Sequence, residues 1–521
     1  MATSHPSNNL DIVDERLHDP GRIEKAVNTV AIDNIQVLGL RAEDAEFYTS
    51  YPPEARKKLL WKIDIRLIPI LAVLYLISHL DRANIGNAKI EGLTTDLGLN
   101  GVQWNIVLSI FFIPYVLLEV PSNMFLKNLA RPSVYLGILM TCWGIIMTLT
   151  GITQNFAGII VARIFLGIFE AGFFPGAVYL CTFWYMPKEL STRLAIFYCA
   201  SALSGAFSGL LAAGIAQMDG VGGQAGWRWI FILEGIVTVL LGVVCFFVLL
   251  DSPRLSTKWL STEEIRYLEL QHFIKEGGHS NDEKKRTSWK DIKATLLNWR
   301  MYMLAYILLV QGACSYGTKF NGPTITEAMG FTSTNAQLMT VPMYVAGAIS
   351  AVLFSILSDR FYWRMPFVAI PLCFIVIGYA IMISLDGALS SNVGLAYFAI
   401  CLTTIGIYPI HPATSSWTAN NVAPSGRRAV SLAFNICIGN SGGVIGSYMY
   451  LDSENPYYYT GFGLSLALGG SALIVALLLE LSFWVGNKRR QALDEGEVRT
   501  RYSNDELVDM GDKSPLFRYT L

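Results

Sequence analysis

Apolar runs, each about long enough to cross a bilayer, alternate with short polar breaks through two blocks of the chain. A hydrocarbon core of about 30 Å takes about 20 helical residues. Runs of that size, broken by charge, proline or glycine clusters, predict helices over 65–86, 103–125, 133–152, 156–184, 192–216 and 228–250. Six more are predicted over 300–321, 335–358, 365–385, 393–417, 428–450 and 460–485. The pattern reads as an all-α integral membrane protein whose twelve transmembrane helices fall into two sets of six.

Charge follows the same division. Of the 79 formal charges, 19 fall in residues 1–64, 18 in 251–300 and 14 in 487–521, as expected when a membrane excludes ions from its core. The predicted organisation is a tail over 1–64, a helical half over 65–250, a linker over 251–299, a second half over 300–486 and a tail over 487–521. Lys127/Arg131, Lys188/Arg193, Arg360/Arg364, Arg427/Arg428 and the run Lys488-Arg489-Arg490 lie on one set of loops, whereas 151–155, 386–392 and 451–459 carry no Lys or Arg. Lys89 is the basic residue well inside the opposite set. Basic loops stay in the cytoplasm, so both tails and the linker are expected there, in a multi-pass protein of the plasma membrane.

Only 15% of residues are charged and the net charge is −1. That composition argues against a disordered chain, a nucleic-acid partner or a water-soluble enzyme. The eight cysteines lie in apolar runs with no CxxC pair, which is neither a disulfide nor a zinc framework. No metal site is expected, and residues 1–64 show no signal-peptide h-region. Gly439-Asn440-Ser441-Gly442-Gly443 fits a nucleophile elbow and Gly312 to Lys319 partly fits a phosphate loop, but neither has the strand its chemistry needs. Both read as small-residue helix packing. In the linker, Ser261 and Glu264 are spaced as a capping box, and Lys284-Lys285-Arg286 is a basic cluster able to touch anionic lipid.

A few ions remain inside the apolar runs: Asp81, Arg82, Glu119, Arg163, Glu170, Glu234, Lys319 and His411. Each costs a few kcal/mol near the bilayer centre, so each must face a partner or a wet cavity. Arg163 and Glu170, seven residues apart, share a helix face about 10 Å apart along the axis. Asp81 and Arg82 reach a similar depth on the first helix. An arginine fork grips a carboxylate and cannot deprotonate, while a buried carboxylate beside it gains proton affinity when substrate competes for that arginine. Static ion pairing of the helices is the alternative. Lys319 sits near a predicted helix end and could snorkel, His411 lies beside Pro409 and Pro412, and Asn435 and Asn440 either line a cavity or tie helices.

Repetition links the halves. Ser355-Ile-Leu-Ser-Asp359-Arg360-Phe-Tyr-Trp-Arg364 resembles the loop signature of the major facilitator superfamily, with Asp359, Arg360 and Arg364 as a structural gating motif; the matching loop over 121–132 lacks the Asp-Arg pair. Lys62-Ile-Asp64-Ile-Arg66-Leu-Ile-Pro69, Leu80-Asp81-Arg82-Ala83-Asn84-Ile85-Gly86-Asn87-Ala88, Arg163 to Gly176 and Gly226-Trp227-Arg228-Trp229 resemble the fungal anion:cation symporter branch of that superfamily, the allantoate, nicotinate, biotin and pantothenate permeases. The resemblance implies two six-helix bundles around a central cavity, moving by alternating access. It places Asp81, Arg82, Arg163 and Glu170 on the cavity.

These readings combine into an expectation of proton-coupled uptake of a small organic anion by a monomer in membrane lipid. Arg82, Arg163, Lys319 and Asn435 are the expected substrate-binding residues, Asp81 and Glu170 the proton-coupling ones, and protons rather than any cofactor the coupling partner. Export of a carboxylated metabolite and a non-transporting nutrient sensor are the alternatives.

Overall fold

A computed structural model describes residues 41–126, 129, 131–275, 289–361, 363–423, 425–503, 506–507 and 510–521. Lys127 and Lys284-Lys285-Arg286 lie outside them. The spanning helices are α1 (Pro53–Ile90), α2 (Gly101–Leu126), α3 (Pro132–Thr150), α4 (Phe156–Thr182), α5 (Pro187–Ile215) and α6 (Gly226–Val248), then α7 (Trp299–Ala328), α8 (Ser333–Phe361), α9 (Pro366–Ser384), α10 (Val393–Asn421), α11 (Ser425–Met449) and α12 (Tyr459–Gln491). Several outrun the membrane: α1 has 38 residues, about 57 Å at 1.5 Å per residue, which is why it starts well before residue 65.

Eleven helices among the described residues are long and apolar enough to cross a membrane by composition; α7 is the twelfth. Its 30 residues suffice in length, but Gln311, Tyr316, Thr318, Lys319 and Asn321 are all buried along it. A helix wrapped by protein need not be apolar all round, and polar side chains inside a bundle mark functional surface. It runs through Pro323 to Ala328, so Lys319 lies nine residues from its end and does not snorkel: the sequence-based end at 321 was short.

The glycine runs serve helix contact. At Gly312 of α7 a Cβ would overlap the carbonyl oxygen of Gly439 on α11, and at Gly442 one would overlap the Leu309 carbonyl. Bare backbones can approach this closely only without side chains.

The described chain separates into two compact units. One combines residues 41–67 with 180–190 and 250–275. Within it Arg56 pairs with Glu189 at 2.6 Å, Lys62 with Glu264 at 2.9 Å and Arg266 with Asp44 at 2.6 Å. The capping box forms as spaced: Ser261 N–H donates to Glu264 and Glu264 N–H to Ser261 Oγ, at 2.8 and 3.2 Å.

The other unit holds the helical halves and residues 286–521. In it the final residues fold back onto the second half. Arg427 pairs with Asp512 at 2.6 Å, and Trp417 Nε1 and Asn421 Nδ2 donate to the Thr520 carbonyl at 3.0 and 2.9 Å. Arg364 donates to Asp359 at 2.7 Å and to Ser358 at 2.8 Å, closing the turn between α8 and α9, while Arg360 is exposed. The halves are clasped at one end, where Lys89 of the first pairs with Asp452 of the second and Glu91 accepts from Ser333 and Gln337.

Candidate functional site

Helical spacing brings the site together. On α1, Tyr75, His79 and Arg82 fall at offsets of four and three residues, and on α7 Tyr316 and Lys319 are three apart, so each set shares a face. The two faces meet across a cleft of about 550 Å³, counting its opening, which Tyr115, Ser201, His411 and Asn440 also line.

Arg82 is the hub. It is 3% exposed, and its Nε donates to Glu170 Oε1 at 2.7 Å while Nη1 donates to the Tyr316 hydroxyl at 2.8 Å. Ser78 donates to the same carboxylate oxygen. The guanidinium also lies over the rings of Tyr115 and Phe111, 4.5 and 5.2 Å from their centroids, a placement an aromatic face favours for a desolvated cation. Glu170 ends the first segment of α4, where the helix breaks at Ala171 and Gly172. A Cβ on Gly167, one turn earlier, would overlap the Phe111 carbonyl, and that close seating of α4 on α2 puts Glu170 within reach of α1.

Lys319, 3% exposed, stands across the cleft. Its Nζ is 3.1 Å from His79 Nδ1 and donates to the Ser201 carbonyl at 3.3 Å. Among the described residues two strong cationic groups, Arg82 and Lys319, line the cleft and no carboxylate does; Glu170 stands behind it on Arg82, and Glu119 behind Asn440.

The remaining expected residues lie elsewhere. Arg163 is buried beside the hub without lining the cleft: its Nε donates to the Val107 carbonyl at 3.2 Å and its guanidinium lies 5.4 Å from the centroid of the same Phe111 ring. Asp81 faces away, accepting from Trp143 Nε1 at 3.1 Å and Thr238 Oγ1 at 3.4 Å. Adjacent helical residues point 100° apart, and here Arg82 lines the cleft while Asp81 does not. Asn435 ties α11 to α10 through Thr418 Oγ1 at 3.0 Å, which is the helix-tying alternative for that amide. Asn440 does reach the cleft, donating to Glu119 at 3.4 Å.

His79, Tyr115, Tyr316 and Gln311 line the cleft and were not singled out from the sequence. Their signal was positional: each sits one turn from a charged or cleft-facing residue on its own helix.

Residues 71–447 match the sequence profile of the Major Facilitator Superfamily. The chain is 37% identical over 486 residues to the MFS-type transporter cnsO of Penicillium expansum, covering 90% of this chain and 91% of that protein. It is 30% identical over 472 residues to the high-affinity nicotinic acid transporter of Saccharomyces cerevisiae, covering 90% and 85%. A bacterial homologue of the human lysosomal transporter Spinster, solved in an inward-facing and occupied conformation, superposes with a TM-score of 0.61 at 15% identity, over 80% of this chain and 95% of that one.

Proposed function

The chain belongs to the major facilitator superfamily of membrane transporters, and from that premise we propose that it moves a small organic anion together with protons by alternating access. One observation carries the reading. Inside a site shielded from water, two cationic groups face a cleft, and among the described residues only one of them, Arg82, has a carboxylate partner. Burying an unbalanced charge is costly, and an anion entering the cleft supplies the missing negative charge. The similarity to a protein named for nicotinic acid supports an organic carboxylate as cargo.

Coupling rests on Glu170 sharing Arg82 with the anion. A carboxylate that takes the Arg82 fork leaves Glu170 buried without its cation, and protonation is how a stranded buried carboxylate relieves that cost. We assign this role to Glu170 rather than Asp81, because Asp81 makes its hydrogen bonds to Trp143 and Thr238. The basic-loop bias supports the Lys89 end as the outer face and both tails as cytoplasmic; the plasma membrane and inward net flux are part of the proposal.

Purified protein in liposomes is expected to accumulate at least one of nicotinate, biotin, pantothenate or allantoate when the outside is made acidic. Loss of that accumulation on collapse of the gradient is the check. Uptake indifferent to pH would remove the proton, and counterflow of none of the four would remove the anion reading.

The Lys89–Asp452 clasp fits the outer gate of such a cycle. Asp452 is 42% exposed, so the pair is worth up to about 1 kcal/mol. Lys89→Glu or Asp452→Lys alone is expected to change the uptake rate by up to about fivefold, and the double reversal to return it toward wild type. A double variant no nearer wild type than the singles would dismiss the clasp.

A further inference from the structure

We propose that Lys319 and His79 form a second proton-loading site, where an arriving carboxylate takes Lys319 and leaves His79 to accept a proton beside it. The proposal rests on the organic-anion reading and adds a coupling group that Glu170 does not supply.

Nζ of Lys319 and Nδ1 of His79 are 3.1 Å apart, and both residues line the cleft at 3% and 7% exposure. An ammonium has no lone pair to accept with, so one of the two nitrogens must donate and the other accept. A single hydrogen lies on that axis, and the pair carries at most one positive charge. Groups around it hold it there. Arg82 is three residues on along the same face of α1, Tyr75 meets the His79 ring edge-on at 4.5 Å between centroids, and Tyr316 precedes Lys319 on α7. His411 enters from α10, Ser201 offers its carbonyl from α5, and Glu170, the carboxylate of the hub, is engaged with Arg82.

An entering carboxylate changes that balance. One of its oxygens accepts from Lys319 Nζ, the Lys319–His79 hydrogen bond breaks, and the Nδ1 lone pair is released. A hydronium ion in the cleft gives its proton to Nδ1, its O–H bond breaking as the N–H bond forms and leaving water, and the imidazolium donates to the second carboxylate oxygen. At Lys319 and His79 the anion brings one negative charge and the proton one positive, so the charge of that pair with its bound anion is unchanged, which a low-dielectric cavity favours over admitting either ion alone.

The test counts protons. Binding of nicotinate, biotin or pantothenate to the purified full chain at pH 7 is measured calorimetrically in two buffers of different ionisation enthalpy, which gives the protons taken up per anion. Glu170→Gln is expected still to take up about one proton per anion, and the Glu170→Gln/His79→Gln double variant none. His79→Gln alone is expected to take up one fewer than wild type, with His79→Asn as the replacement if the first does not fold. Equal counts in wild type and His79→Gln, or no uptake by Glu170→Gln, overturn the proposal while leaving anion transport intact. If none of the three anions binds the wild type, the organic-anion reading falls and this proposal with it.

Discussion

Arg82→Gln is expected to weaken anion binding by about 100-fold or more. A hydrogen bond to a charged group is worth about 1.5–3 kcal/mol, and a guanidinium can offer a carboxylate two. The glutamine keeps a donor and much of the shape but none of the charge. The substitution also strands Glu170, whose cation Arg82 is. Breaking a buried pair by removing one partner costs about 3–5 kcal/mol unless the other is neutralised, so Arg82→Gln should lower thermal stability as well. The double variant Arg82→Gln/Glu170→Gln separates the two effects: stability is expected to recover and binding is not. Binding restored along with stability would mean that Arg82 only holds α1 to α4. Ligand-induced shifts in unfolding temperature, read for all three variants beside wild type, decide the matter.

The hub could be read from the sequence because charge inside an apolar run is expensive and therefore conspicuous. Arg82, Glu170 and Lys319 announced themselves that way, and the structure brings all three to one place. The same signal did not tell which way Asp81 faces, and the structure sets it off the cleft. It gives depth along the helix but not the direction a side chain faces, and one residue of offset turned Asp81 toward Trp143. Arg163 has the expected depth and face yet stops one layer short, behind Phe111.

His79 and Tyr316 were illegible for another reason. A neutral imidazole or phenol costs little to bury once hydrogen-bonded, so neither disturbs an apolar run enough to stand out. Their roles appear only when α1 and α7 face each other. The docking of residues 510–521 under the second half was hidden too, since Asp512 and Thr520 meet partners about 85 to 100 residues away in the chain. The twelve helices were recoverable because bilayer thickness sets their length independently of the fold. Their ends were not, because a helix continues past the membrane wherever protein satisfies its backbone.

Glu170→Gln is expected to leave exchange of anion across the membrane near wild type while removing one proton's share of the driving force. Glutamine accepts from Arg82 and Ser78 through its carbonyl, as Glu170 does, so the hub keeps its geometry. It cannot be protonated when the anion takes Arg82, and that is the step the gradient drives. One pH unit is worth about 1.4 kcal/mol per proton, a tenfold accumulation. Across an imposed gradient of two units the variant should therefore hold roughly 100-fold less labelled anion at steady state than wild type, with counterflow at zero gradient unchanged. The sign follows the substrate: acid outside loads the protonatable carboxyl there, and the more alkaline inside unloads it. What accumulation remains in the variant measures the proton carried at Lys319 and His79. Wild-type accumulation by Glu170→Gln would leave the carboxylate as packing for Arg82, whereas loss of both counterflow and accumulation would mean that Glu170 holds the anion site open rather than couples it.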